Sequence, residues 1–351
     1  MKYKINQLIS DLPTSIWQKI AEIDGIKGQW IGGAELSPQV LNRLQRSVVV
    51  TSTGASTRIE GAKLSDEDIE KLMRGIDIKH FGDRDKQEVR GYFELLTNIF
   101  NSWDQLTFSE NLICHFHQEL LKYVDKDEVH RGKYKKRENK VHMVDQAGQS
   151  VGVLFDTTLP YLTPKEMSDL VQDTKKMLSS HEHHPLIIIG SFVIIFLMIH
   201  PFQDGNGRLS RILTNLLLLK SGYTYVPYIS HEKIIEDNKP DYYLALRSSQ
   251  KTLKTKRPSL VDWLDFFLDV VLTQSRMAIN LLSDANIEKL LSPTQLKVWE
   301  YLLDVSESTP RELADKLDIP RPTINQVVNK LMKLNRIERL GQGRAVRYVV
   351  K

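Results

Sequence analysis

The sequence predicts a mainly α-helical protein with two small β-hairpins, the second of them part of a separate C-terminal winged helix-turn-helix domain. Helix starts recur: Ser65-Asp66-Glu67-Asp68, Thr163-Pro164-Lys165-Glu166, Ser292-Pro293-Thr294-Gln295 and Thr309-Pro310-Arg311-Glu312 each place a hydroxyl three residues before an acid or amide. Three of these put proline at the first helical position, where its missing N–H costs nothing. Apolar residues between the starts repeat at helical spacing, and strand-like alternation is confined to residues 140–155 and 337–350.

In chain order, residues 1–105 read as an N-terminal helical region. One of its helices spans about 47–61, and a later one buries Val89, Tyr92, Leu96, Ile99 and Phe100 along one face. Leu112, Ile113, Phe116 and Leu120 mark the next helix, at the start of a central domain over 106–285. KVHMVDQAGQSVGVLF, residues 140–155, reads as a hairpin about a Gly-containing turn. Residues 186–199 are apolar throughout, but 14 residues fall short of the roughly 20 that span a bilayer, so a buried helix is expected. A helical pattern resumes at Arg208, another helix begins at Ser259, and a linker is expected near 283–291. The last domain, 292–351, reads as helices at roughly 293–303, 310–317 and 322–334. A short Asp318-Ile319-Pro320 turn joins its second and third helices, and a hairpin turns about Gly341-Gln342-Gly343.

The 351 residues are 41% hydrophobic and 26% charged, as in an ordinary globular protein of two or more domains. Cys114 is the single cysteine, which excludes an internal disulfide and a thiolate zinc cage and fits a reducing compartment. The N-terminal residues lack the pattern of a secretory leader, so a cytoplasmic location is expected and no membrane partner. The net charge of +4 lies wholly in residues 292–351, where 11 Lys and Arg face 7 Asp and Glu; from Arg321 onward the balance is 8 to 1. A polyanion would therefore be met at this end, and duplex DNA is the expected partner of 292–351.

The densest chemistry is IHPFQDGNGRLSR, residues 199–211: helix, tight loop, helix. Gly205-Asn206-Gly207 lets backbone approach an anion closely, and the N–H groups and dipole of a new helix favour phosphate. Arg208 and Arg211, three apart, can reach one polyanion. Asp204 at the loop mouth opposes phosphate unless a cation lies between them, and Mg²⁺ takes one or two carboxylates plus phosphate oxygens. His200 can accept a proton at neutral pH. Together these suggest transfer of a phosphorus-containing group to a hydroxyl.

HPFQDGNGRLSR resembles in full the HxFx(D/E)GNGRxxR signature of the Fic family (filamentation induced by cyclic AMP), whose best-known members transfer AMP from ATP to protein hydroxyls. The resemblance implies a Fic-type helical catalytic domain and gives each residue a role. His200 is the base, Phe202 the aromatic anchor of the loop, and Asp204 the Mg²⁺ ligand; Gly205, Asn206 and Gly207 are the anion hole, and Arg208 and Arg211 the triphosphate clamps. The kinase-like Doc branch typically has lysine where Arg208 stands, so AMP transfer from ATP is implied here.

Ser56-Thr57-Arg58-Ile59-Glu60-Gly61 matches the (S/T)xxxE(G/N) inhibitory motif of the same family. Ser56 and Glu60 lie one helical turn apart. The resemblance implies that Glu60 pairs with Arg211 where the γ-phosphate belongs. The 140–155 hairpin stands where Fic proteins carry a flap, whose edge can register a target protein's backbone. Tyr242 and Tyr243 resemble a segment near adenine, with Gln250 where an asparagine is expected. HEHHP lacks the HExxH spacing of a zinc site. Two further readings stand beside AMP transfer: a DNA-binding regulator whose Fic domain senses nucleotide, and AMP removal by the same site. A homodimer burying the inhibitory helix would be a means of regulation.

Overall fold

Helices dominate, as the sequence predicts. The computed structural model describes residues 8–9, 11–33, 36, 38–75, 83–144, 150–253, 255, 258–334, 336–341 and 346–350. It divides into two units, Met1–Ile279 and Asn280–Lys351. The expected region 1–105 and the expected region 106–285 as far as Ile279 thus share one unit, because α2 (Pro38–Ile59) packs along helices from both.

In the first unit α1 (Thr14–Gly33) and α2 are followed by α3 (Asp66–Met73), α4 (Asp83–Ser102) and α5 (Glu110–Leu120). Ser65 and Asp68 form the expected capping box of α3. Strands β1 (Lys140–Val144) and β2 (Ser150–Asp156) pair antiparallel, Lys140 opposite Asp156; the turn at 145–149 lies outside the described residues. Then come α6 (Thr163–Ser180), α7 (Pro185–Ile199), α8 (Asn206–Lys220), α9 (His231–Asp237), α10 (Lys239–Thr252) and α11 (Val261–Leu290).

α7 is apolar on every side because it is buried on every side: Leu186 through Leu197 and Ile199 are all buried. α6 and α8 flank it, and Trp263 of α11 donates from Nε1 to the Gly190 carbonyl (2.7 Å). Among the described residues no helix is long and apolar enough to cross a membrane. His184 of the HEHHP run caps α7 by accepting from the Leu186 N–H (3.3 Å) while its Nε2 meets Asp24 (2.9 Å).

Two expectations are corrected. Thr163 does not cap α6: it is the first helical residue, its hydroxyl donates to the Leu159 carbonyl (3.1 Å), and Glu166 instead accepts from Thr158 Oγ1 (2.7 Å). The boundary expected near 283–291 lies at Ile279/Asn280, inside α11, which begins in the first unit and continues to Leu290 before Ser292 caps the next helix.

The second unit is a winged helix: α12 (Pro293–Val305), β3 (Glu307–Ser308), α13 (Pro310–Leu317), α14 (Arg321–Lys333), β4 (Ile337–Leu340) and β5 (Arg347–Val350). The sheet order is β3-β5-β4, and capping boxes at Ser292 and Thr309 fix the starts of α12 and α13. Trp299, Leu313, Ile324, Val328, Leu331 and Tyr348 share one core. The wing tip, 342–345, with Gln342, Gly343 and Arg344, lies outside the described residues.

Candidate active site

The site begins where α7 ends. His200 closes that helix in the left-handed region (φ 51°), a conformation rare for a side-chain-bearing residue, and turns the chain into the loop. Its N–H donates to the Phe196 carbonyl (2.9 Å), and its Nδ1 lies 3.2 Å from the Leu197 carbonyl. That contact places the proton on Nδ1 and leaves the Nε2 lone pair available. Burial holds the imidazole down at about 4, opposed by the Leu197 contact and reinforced by the nearby Lys135 ammonium, so it is neutral at pH 7.

Three interactions shape the loop. The Asn206 amide clasps Phe202 at both backbone groups, Oδ1 accepting from its N–H (2.9 Å) and Nδ2 donating to its carbonyl (2.8 Å). The Phe202 ring is fully buried and stacks on His117 of α5 at 3.9 Å and 9°. His117 accepts at Nδ1 from the Gly132 N–H (2.9 Å), so its Nε2–H donates to the Asp204 carbonyl (3.0 Å), and burial keeps it neutral with a pKa of about 4. Gly205 then adopts φ 77° and opens α8, whose N-terminus no side chain caps. Those N–H groups are available to an anion. Asn206 therefore offers an anion its backbone, its side chain being committed to the loop.

Asp204 stands at the mouth between two arginines. Arg84 of α4 donates to its Oδ2 (2.8 Å), and Arg208 lies 3.3 Å from both oxygens. Burial would raise its pKa, but Arg208, the Gly205 N–H and Arg84 outweigh that and hold it below the usual carboxylate value. Arg208, 2% exposed, also pairs with Glu88 of α4 (2.7 Å), which Arg84 contacts as well (2.9 Å). In this state Arg208 is neutralised by two carboxylates rather than directed at open solvent.

Arg211, one turn further along α8, is held by the turn that ends α2. Its Nε donates to Ser56 Oγ (2.8 Å), and its Nη2 to the Ser56 carbonyl (2.9 Å) and to Glu60 Oε1 (2.7 Å). Glu60 lies just past the helix end and so hangs over α8: a Cβ on Gly207 would come within 2.2 Å of Glu60 Oε1. A carboxylate thus rests on the first turn of α8, where only a glycine leaves room. Arg58 fixes the turn through Glu236 (2.5 Å), Asp66 (2.9 Å) and the Leu64 carbonyl (2.8 Å). Behind Arg211, Tyr92 and Asn215 donate to the buried Glu232 at 2.9 and 2.6 Å.

The two tyrosines diverge. Tyr242, 4% exposed, packs edge-on against Trp263 at 5.9 Å, so a core role is the one its surroundings favour over contact with a base. Tyr243 directs its hydroxyl to the Ile59 carbonyl (3.4 Å), against the inhibitory turn. Sequence reasoning missed Arg84, Glu88 and His117. Only His117 carried a usable signal, its i, i+4 and i, i+3 spacing from Ile113 and to Leu120 on the buried face of α5. Among the described residues no group of three or more His, Cys, Asp or Glu is placed to hold a metal.

Comparison with known proteins agrees with this geometry. Residues 107–218 match the family model described as Fic/DOC family, and residues 291–351 that described as sugar-specific transcriptional regulator TrmB. A Fido domain-containing protein of Dictyostelium discoideum is 38% identical over 71 residues, 20% of this chain and 50% of the relative. A probable protein adenylyltransferase of Aquifex aeolicus is 29% identical over 189 residues, 52% of each. The chain spans about half the length of these curated relatives. A crystal structure of a Fic family protein from Desulfovibrio desulfuricans shares the fold over 97% of both chains, with TM-score 0.63 and 24% identity. The chain therefore carries a Fic domain, built around the loop at 200–207, and a winged helix at its C-terminal end.

Proposed function

We propose that this protein transfers AMP from ATP to a Ser, Thr or Tyr hydroxyl of a target protein, releasing pyrophosphate, and that Glu60 restrains it. The observation that carries the reading is the Glu60 carboxylate lying on Gly207 and Arg211 at the uncapped start of α8, the position an anionic oxygen would take. Relatives named protein adenylyltransferase support it.

In this reading the phosphate tail lies along Gly205, Asn206 and Gly207, between Arg208 and Arg211. His200 Nε2 takes the proton of the attacking hydroxyl. The hydroxyl oxygen bonds to the α-phosphorus as the bond to the β-phosphate oxygen breaks. Positioning and charge neutralisation supply most of the rate. Mg²⁺, bound to phosphate oxygens, would neutralise the tail. Asp204 suits it: an ionised, partly exposed carboxylate beside the anion site, and one carboxylate suffices when phosphates supply the other ligands. Intact mass spectrometry after incubation with ATP and Mg²⁺ tests the reaction. One or more added AMP units with released pyrophosphate is the expected product; added phosphate with released ADP would overturn it.

The winged helix fits duplex DNA. α14 exposes Arg321, Asn325, Gln326, Asn329 and Lys333 while Ile324, Val327, Val328 and Leu331 face the core. On the wing Arg339 is exposed, whereas Arg347 is paired with Glu307 (2.7 Å). Affinity for duplex is expected to fall steeply with salt, by about 0.9 in log-log slope per phosphate contacted, and Arg321→Ala should flatten that slope. Equilibrium binding across a salt series measures it, and no binding at low salt would retire the assignment.

A further inference from the structure

The two feet of the β1–β2 hairpin end on the loop that carries His200. Lys135, 4% exposed, donates from its ammonium to Asn139 Oδ1 (2.9 Å), Thr157 Oγ1 (2.8 Å) and the Ile199 carbonyl (2.9 Å), one acceptor for each proton. Its backbone N–H donates to the Pro201 carbonyl (2.9 Å) and Asn139 Nδ2 to the Phe202 carbonyl (2.9 Å). From the other foot, the Thr158 N–H donates to the Met198 carbonyl (3.3 Å), and Thr157 Oγ1 ties back to Asn139 (2.8 and 2.7 Å). Carbonyls 198, 199, 201 and 202 therefore all accept from the segments flanking the hairpin. A helix leaves its last carbonyls without partners, and here the hairpin's feet supply them for the final two, Met198 and Ile199.

A buried ammonium is costly unless every proton is bonded, and a neutral side chain would fill the same space more cheaply. The negative end of α7 favours a cation at this place, and no neutral group could hold three acceptors from three segments at once. We propose that Lys135 is a positioning residue that fixes the hairpin and the His200 loop as one piece, so that a target strand laid on the hairpin meets the imidazole in register. The catalytic consequence rests on the AMP-transfer reading; the mechanical one does not.

The titratable groups that face Lys135 are the Glu138 carboxylate on its own segment, the Glu166 carboxylate of α6 and the neutral His200 imidazole. Burial lowers Lys135 to about 8, the two glutamates opposing it. The ammonium is thus present at pH 7 and lost as pH rises through about 8, whereas an arginine in its place would stay charged.

The test uses the full chain carrying Glu60→Gly, with Lys135 intact, Lys135→Met or Lys135→Arg, and reads amide hydrogen exchange at residue 135 and Thr158 alongside AMP-transfer rates. Lys135→Met is expected to speed exchange at these amides by about tenfold or more at pH 7. It should lower kcat by roughly 10²-fold while KM for ATP stays unchanged. Between pH 7 and 9, after correction for intrinsic exchange, protection should fall in the Lys135 chain and persist in Lys135→Arg. Unchanged exchange in Lys135→Met overturns the proposal. If Lys135→Met unfolds, Lys135→Arg decides: loss of protection with the same pH dependence as the lysine chain also overturns it. Exchange that behaves as stated with no AMP transfer in any chain leaves the clip standing and removes the transfer reading.

Discussion

Replacing Glu60 with glycine is expected to raise AMP incorporation by about tenfold. A charge-assisted hydrogen bond contributes roughly 1.5–3 kcal/mol, and each 1.4 kcal/mol is a factor of ten in occupancy. The lower part of that range applies because the Glu60 side chain is 36% exposed and partly screened, although Arg211 is buried. Two terms change together on removal of the carboxylate. Arg211 regains a donor for phosphate, and the negative charge over Gly207 disappears. Radiolabelled ATP measures the effect, and an unchanged or lower rate removes the inhibitory assignment. Ser56→Ala should give a smaller gain, because Ser56 Oγ fixes only the Nε side of the guanidinium and its carbonyl contact survives the substitution.

Much of this site is legible because it is local. His200 to Arg211 fall within one helix-loop-helix, so their order in sequence already places them together, and the spacing of Ser56 and Glu60 puts both on one side of a helix end. What the sequence conceals is long-range. Arg84 and Glu88 read as an ordinary i, i+4 pair on a charged face, and only the packing of α4 brings them, from over a hundred residues away, to Asp204 and Arg208. Lys135 sits in the run KYKKRENK, where nothing distinguishes this buried lysine from the exposed Lys133 and Lys136 beside it. The role of Asn206 shifts for a similar reason: GNG reads as an anion cradle, while the fold spends its amide on Phe202. At Thr163 a good capping pattern is overridden because Thr158, just past the hairpin, claims Glu166.

Replacing His200 with alanine, in the Glu60→Gly background, is expected to lower AMP transfer by about 10²- to 10⁴-fold, the usual contribution of a positioned base. ATP binding should change little, since the loop is held by Asn206, Phe202 and His117 rather than by the imidazole. The pH profile separates a base from a merely structural residue. A base must be neutral to accept the hydroxyl proton, so the rate should fall as pH drops through the folded-state pKa. Because burial depresses that value to about 4, the acid limb should lie well below the 6.5 of a free imidazole, and activity should hold from neutrality down through pH 6. An acid limb near 6.5 would mean that the imidazole is open to water during turnover. A profile and rate indifferent to His200→Ala would mean that the proton leaves by another route, and the assignment of the base would fail. Intact mass spectrometry under single-turnover conditions reads both, because it counts AMP units independently of any downstream step.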